Sequence, residues 1–134
     1  QAQKVALRID MAPDCDRVRA DRIQFQQAVV NLVRNGVEAA AGRHGAQVSI
    51  LGRTEADGYR ISIEDNGPGV ADDQRDRLFQ PMTSTKPGGM GLGLSVTRTI
   101  VERHGGVLNV GRSQALGGAA FFFTLPLDQE ATTA

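Results

Sequence analysis

The stretch that decides the fold reads Asn31-Leu32-Val33-Arg34-Asn35-Gly36-Val37-Glu38-Ala39. It lies in a longer segment whose apolar residues recur at helical spacing, which predicts one amphipathic helix from Asp21 to about Ala41. Asp21 is placed as an N-cap with Gln24 three residues on, as in a capping box, and Gly42 is placed to end the helix. The predicted apolar face comprises Phe25, Ala28, Val29, Val30, Leu32, Val33, Val37 and Ala40.

Asn31 and Asn35 stand four residues apart on the opposite, polar stripe of this helix. Two amides at this spacing are also typical of an ordinary solvated helix face. The functional alternative is metal binding, because an amide oxygen is a hard ligand that suits Mg²⁺ when phosphates and water complete the octahedron. The spacing alone leaves both interpretations open.

Strands are predicted on both sides of the helix. Val5, Leu7 and Ile9 alternate with polar residues, which predicts a half-buried strand over Lys4–Asp10. Residues 47–51 and 59–64 alternate likewise around a turn at 56–58, so they predict a hairpin. The remaining predicted helices are a short one at 72–79 and one at 92–103 that ends at Gly105. The remaining predicted strands are a very short one at 18–20 and two more at 107–110 and 119–125. In the last strand, Phe121, Phe122 and Phe123 are all expected to be buried.

This order of elements indicates an α+β sandwich, a mixed sheet with helices on one face. The 134 residues are expected to form one domain with a core over about 4–127 and a polar tail over 128–134. Lys and Arg number 15 and Asp and Glu number 15, so the zero net charge argues against a nucleic-acid partner. No apolar run approaches the length of a membrane span.

Cysteine and histidine offer little chemistry. The single cysteine, Cys15, excludes an internal disulfide and a cysteine metal cluster, and this usage suits a reducing, cytoplasmic setting. His44 and His104 have no carboxylate at metal-site or catalytic-triad spacing, so both are expected to be structural or surface residues. No serine or cysteine nucleophile pattern is present.

Two glycine-rich loops remain. Residues 65–69 (DNGPG) directly follow a strand; they are either a strand-ending turn or a carboxylate placed to accept a hydrogen bond from an exocyclic amine such as that of adenine. Residues 88–95 (GGMGLGLS) run into a helix and are either a hinge or a phosphate site at the helix N-terminus. Lys86 stands just upstream, either solvated or able to meet a γ-phosphate.

Taken in order, residues 31–39, 65–69, 78–86 (LFQPMTSTK) and 89–94 (GMGLGL) resemble the N, G1, F and G2 boxes of the catalytic ATP-binding domain of bacterial sensor histidine kinases. The boxes look nearest to those of oxygen- and nitrogen-regulatory sensor kinases. Residues 117–126 (GGAAFFFTLP) are similar to the family's terminal hairpin, so the resemblance covers nearly the whole chain. It implies the Bergerat fold, a two-layer α/β sandwich with a mixed, mostly antiparallel sheet, and an ATP lid over about 70–91.

The resemblance also implies residue roles. Asn35 would bind Mg²⁺, Asn31 would support the phosphates, and Asp65 would take the adenine amine. Lys86 would reach the γ-phosphate and act with Asn31 and Asn35 in catalysis. The residues that the resemblance assigns to ATP are Asn31, Arg34, Asn35, Asp65, Gly67, Gly69, Val70, Phe79, Thr85, Lys86, Gly89, Gly91, Leu92, Gly93 and Leu94.

The implied partners are a dimerisation and phosphoacceptor domain of the same kinase, absent from this chain, and a response regulator. The isolated domain is expected to be monomeric and the whole kinase homodimeric. Related hydrolases of this fold carry a general-base Glu four residues before the magnesium Asn, where this chain has Asn31, so transfer to another acceptor is favoured over hydrolysis. An anti-sigma-factor-type serine kinase and a non-catalytic nucleotide-binding module are the alternatives. Two departures from the family are Gly36, usually Ala, and Ala120, often an adenine-side Thr.

Overall fold

A computed structural model describes residues 5–12, 18, 20–42, 44–74 and 90–127. The elements, in chain order, are β1 (Ala6–Met11), α1 (Arg22–Ala40), β2 (Gln47–Glu55), β3 (Gly58–Asp65), a 3₁₀ turn (Asp72–Gln74), α2 (Met90–Arg103), β4 (Asn109–Arg112) and β5 (Ala119–Leu125). Several predictions fall outside the described residues: those on Cys15, Arg19, most of the short helix at 72–79, Phe79, Thr85, Lys86, Gly89 and the tail at 128–134.

The five described strands form one sheet in the order β1-β2-β3-β5-β4. Strand β1 is parallel to β2, and the three other pairs are antiparallel. Strands β2 and β3 form the predicted hairpin, in which Glu55 pairs with Gly58 around the turn. The sheet is therefore mixed and mostly antiparallel, as predicted, although β2 continues to Glu55 rather than ending at Leu51.

Helix α1 begins and ends where its capping residues predict. The Oδ1 atom of Asp21 accepts a hydrogen bond from the backbone amide of Gln24 at 3.0 Å, and Gly42 has a φ of 83° just beyond the helix. Ala28, Leu32, Gly36 and Ala40 are the buried positions. Val30 is 53% exposed, so the predicted apolar face was too broad: one helix face touches the sheet, and Val30 lies outside that arc.

The core lies between the helices and the sheet. Alternate residues of β5, including Phe121 and Phe123, join it together with Leu32 of α1 and Ile61 of β3. Phe122 points to the other face of the sheet, where the guanidinium carbon of Arg60 lies 4.2 Å from its ring centroid. The prediction of three buried phenylalanines was therefore wrong at the middle one, because successive strand residues point to opposite faces.

Strand β1 is less buried than predicted. Leu7 is 51% exposed and Ile9 is 62% exposed, although both alternate as a half-buried strand should. The reason is position: β1 is the end strand of the described sheet, and α1 packs against β2, β3 and α2. Alternation predicts which residues share a face but not whether a helix covers that face.

His104 joins the two helices. Its Nε2 atom accepts a hydrogen bond from the backbone amide of Asp21 at 3.0 Å, and its Nδ1 atom lies 2.7 Å from the carbonyl oxygen of Ile100. These partners require the neutral tautomer with the proton on Nδ1. The end of α2 is thereby tied to the start of α1, so His104 has the structural role that the sequence predicts, whereas His44 is exposed.

Candidate functional site

Asp65 is a buried carboxylate at the end of β3. It is 1% exposed, and its Oδ1 atom accepts hydrogen bonds from the backbone amides of Gly67 at 2.8 Å and Ala119 at 3.3 Å. The backbone amide of Gly118 donates to the carbonyl oxygen of Asp65 at 3.1 Å. Two segments far apart in sequence therefore orient one side chain, which is how a carboxylate is kept in a single position inside a fold.

Glycines make this arrangement possible. A Cβ atom on Gly67 would lie 2.6 Å from the carbonyl oxygen of Ala39, and one on Gly118 would overlap the Asp65 carboxylate. Gly69 has a φ of 82°, which side-chain-bearing residues rarely adopt. The sequence associates Gly67 with close approach to a flat ring; the structure adds that Gly67 is needed for the loop to approach the end of α1.

The buried face of α1 lies against Asp65 at Gly36. Asn31 and Asn35 are both partly buried, whereas Arg34 is exposed. A Cβ atom on Gly36, the residue after Asn35, would lie 3.6 Å from the Cβ atom of Asp65. Asn35, the predicted metal residue, therefore directly precedes the α1 position that packs against Asp65.

Helix α2 provides a third part of the site. It begins at Met90, two residues before the predicted start, so the glycine-rich residues 91–93 form its first turn, and it packs against α1. The free amides and the dipole of a helix start favour anions. Leu94 was predicted to contact ATP, but its side chain is 3% exposed and belongs to the core, so only its backbone is available to a ligand.

Ala119 and Ala120 point to opposite faces of β5. Ala120 pairs with Glu64, whereas Ala119 joins the core cluster and donates to Asp65. Ala119 therefore lies beside the Asp65 carboxylate, whereas Ala120 lies on the other face of the strand. Gly118 and Ala119 were missed as site residues, and the alternation of β5 was the signal that could have found Ala119.

A cavity of about 360 Å³ opens beside the loop that follows Asp65. Its lining residues are Pro68, Gly69, Val70, Ala71, Gly111, Arg112 and Gly118. Gly69 and Val70, both predicted to contact ATP, line this space, and Val70 also packs against the core cluster. The predicted site residues Phe79, Thr85, Lys86 and Gly89 lie outside the described residues.

Among the described residues, no group of three or more His, Cys, Asp or Glu side chains could hold a metal ion. No helix in the described part of the chain is both long and apolar enough to cross a membrane.

A family profile described as "Histidine kinase-, DNA gyrase B-, and HSP90-like ATPase" matches residues 20–129. The chain belongs to this family. Among curated relatives, it is 43% identical over 129 residues to the sensor protein FixL of Bradyrhizobium diazoefficiens, a match that covers 96% of this chain and 25% of FixL. The chain therefore spans about a quarter of that relative's length.

Solved structures agree. The nucleotide-free catalytic domain of the histidine kinase ThkA superposes with a TM-score of 0.79 at 30% identity, covering 92% of this chain and 79% of that one. Full-length ShkA in complex with AMPPNP gives a TM-score of 0.72 at 30% identity, covering 92% of this chain and 25% of ShkA. ThkA bound to the response regulator TrrA gives 0.75 at 28% identity, covering 94% and 35%. The predicted fold and class are confirmed: the chain belongs to this ATPase family and has the fold of histidine kinase catalytic domains.

Proposed function

We propose that this domain binds Mg-ATP and donates the γ-phosphoryl group to a histidine on a separate acceptor domain. The observation that carries the proposal is the buried Asp65 carboxylate, whose Oδ1 atom is oriented by two backbone amides. It lies where α1 and the end of β3 meet, next to the residues that resemble the kinase boxes.

Asp65 would select the base. A carboxylate accepts hydrogen bonds, so it matches the exocyclic amine of adenine, whereas guanine has a carbonyl oxygen at that position. Two buried acceptors would then face each other without a proton between them. This mismatch weakens binding far more than the loss of an exposed hydrogen bond would, because neither buried oxygen can bond to water instead.

The phosphates and the metal would be held between α1 and the start of α2. Asn35 supplies an amide oxygen suited to Mg²⁺, and Asn31, one turn earlier, would support the phosphates. The first-turn amides of α2 would meet the phosphate oxygens. Lys86, for which the sequence suggests a γ-phosphate contact, completes the proposed catalytic set.

The acceptor would be a protein side chain rather than water. Asn31 occupies the position at which related hydrolases carry a general-base Glu, and an amide cannot take a proton from water. We therefore assign transfer to a histidine of a dimerisation domain in the same kinase, followed by a response regulator as the next acceptor. The proposed setting is cytoplasmic, with the domain over residues 1–134 monomeric alone and the whole kinase a homodimer.

Calorimetry on the domain and its Asp65→Asn variant tests the nucleotide step. The amide would keep the size of the side chain but place a donor opposite the adenine amine, or lose the bond to Gly67 if it flips. We expect ATP affinity to fall by about 2 kcal/mol, roughly 30-fold, in line with the loss of a buried charge-assisted hydrogen bond.

Asp57→Asn is the matched control, because this substitution replaces the same carboxylate with the same amide, but in the exposed β2–β3 turn. It should leave ATP affinity unchanged. Wild-type protein should bind ATP much more tightly than GTP. Equal affinity of wild type and Asp65→Asn for ATP would remove Asp65 from the base site.

A further inference from the structure

Ser113 is a buried serine in the connection between β4 and β5, at 1% exposure. Its hydroxyl donates to Oε1 of Glu64 at 2.7 Å and accepts from the backbone amide of Leu116 at 3.0 Å. Its backbone amide donates to the carbonyl oxygen of Gly118 at 2.7 Å, and its carbonyl oxygen accepts from the amide of Gly117 at 2.8 Å. All four of these bonds fix the short loop over 113–118.

The far end of the same loop touches Asp65. The Gly118 amide donates to the carbonyl oxygen of Asp65, and the next amide, that of Ala119, donates to Oδ1 of the carboxylate. Glu64, which holds Ser113, is the residue just before Asp65 on β3. One strand therefore holds both ends of the loop: Glu64 binds the start and Asp65 binds the finish.

We propose that Ser113, held by Glu64, is a positioning residue for recognition of the adenine amine. It acts through the loop: with Ser113 fixed, Gly118 and the Ala119 amide are fixed, and so is the orientation of the Asp65 carboxylate. This inference rests on the proposed role of Asp65. It adds the residues that determine how strongly Asp65 discriminates in favour of a base with an exocyclic amine.

Ser113→Ala is the test, with ATP and purine riboside triphosphate as the two probes. The second probe lacks the exocyclic amine but keeps the sugar and phosphates. Removing the hydroxyl leaves the Leu116 amide without its acceptor and releases the start of the loop from Glu64, so that only the Asp65 end stays bonded to β3. We expect ATP to bind about fivefold to tenfold more weakly, the effect of one hydrogen bond, and the second probe to bind as in wild type.

Ser62→Ala is the matched control. The Ser62 hydroxyl donates to the other oxygen of Glu64, Oε2, at 3.0 Å, and Ser62 lies on β3 itself rather than in the 113–118 loop. Ser62→Ala also removes a serine hydroxyl that donates to the Glu64 carboxylate. It should keep the wild-type ratio of the affinities for ATP and purine riboside triphosphate. Glu64→Gln should also keep the ratio, because its amide oxygen can still accept from Ser113, whereas Glu64→Ala should reproduce the loss.

The affinities separate the two claims. If the wild type binds both probes with equal affinity, the exocyclic amine contributes nothing to binding and the proposed function of Asp65 is wrong. If wild type discriminates and both Ser113→Ala and Glu64→Ala discriminate equally well, only the positioning role is wrong. The positioning role would also be overturned if Ser113→Ala lost equal affinity for both probes. It would be overturned as well if Glu64→Gln lost discrimination to the same extent as Glu64→Ala. Should Ser113→Ala fail to fold, the two Glu64 variants decide by the same ratio.

Discussion

Gly118 lies against Asp65 so closely that a methyl group on Gly118 would overlap both the carboxylate and the amide nitrogen of Gly67. The contact joins the start of β5 to the end of β3, two interior strands that pair along the sheet. A glycine is therefore required for steric reasons at a position whose φ angle is not positive. The carboxylate is held both by donors and by the lack of any side chain beside it.

Gly118→Ala should displace the Asp65 carboxylate and weaken ATP binding by about 1.5–3 kcal/mol, the range for a hydrogen bond to a charged group. Calorimetry measures this loss directly. Gly105→Ala is the control for a general loss of stability, since Gly105 has a φ of 89° beyond the end of α2 and its added Cβ would lie 4.0 Å from Pro126; it should leave ATP affinity unchanged. Full ATP affinity in Gly118→Ala would show that the carboxylate is not positioned by this contact.

Gly36→Ala should stabilise the domain by roughly 0.5–1 kcal/mol. Gly36 lies inside α1, where glycine costs up to about 1 kcal/mol relative to alanine, and the new Cβ would meet the Val48 methyl groups at 3.4 Å. Urea unfolding with a constant slope measures the change. The opposite sign is expected for Gly42→Ala, because Gly42 has a φ of 83°. Destabilisation by Gly36→Ala would mean that the contact with Val48 is too tight to relax.

Asn35→Ala should weaken the binding of Mg-ATP far more than that of metal-free ATP, because the lost group is proposed as a metal ligand. Titrations with Mg²⁺ and with EDTA give the two affinities. Gln27→Ala, an exposed amide on the same helix, should change neither. Equal losses with and without Mg²⁺ would make Asn35 a structural residue.

Local signals predicted the fold well where one segment determines its own structure. Three such features are the Asp21 cap, the β2–β3 turn and the glycine after α1. Each depends only on residues a few positions away in the chain, so each can be predicted from the sequence. The ordered boxes gave the class of protein, because four motifs in sequence are far more specific than any one alone.

Tertiary relationships were harder to predict. Exposed Leu7 and Ile9 satisfy the alternation of a half-buried strand, but nothing local reports that α1 lies over other strands. The bond between His104 and Asp21 joins residues 83 positions apart. The support of Asp65 by Ala119 depends on strand register, because Ala119 and Ala120 point to opposite faces of β5.

Phosphoryl transfer from γ-labelled ATP to a helical-hairpin domain that bears an acceptor histidine is the most direct test of the central claim. The chain alone should neither label itself nor hydrolyse ATP quickly. Adding the acceptor domain should produce label slowly, since no covalent tether raises the effective concentration, and an acid wash should remove it. Acid-resistant label on the isolated chain would contradict a histidine kinase and favour the serine-kinase alternative.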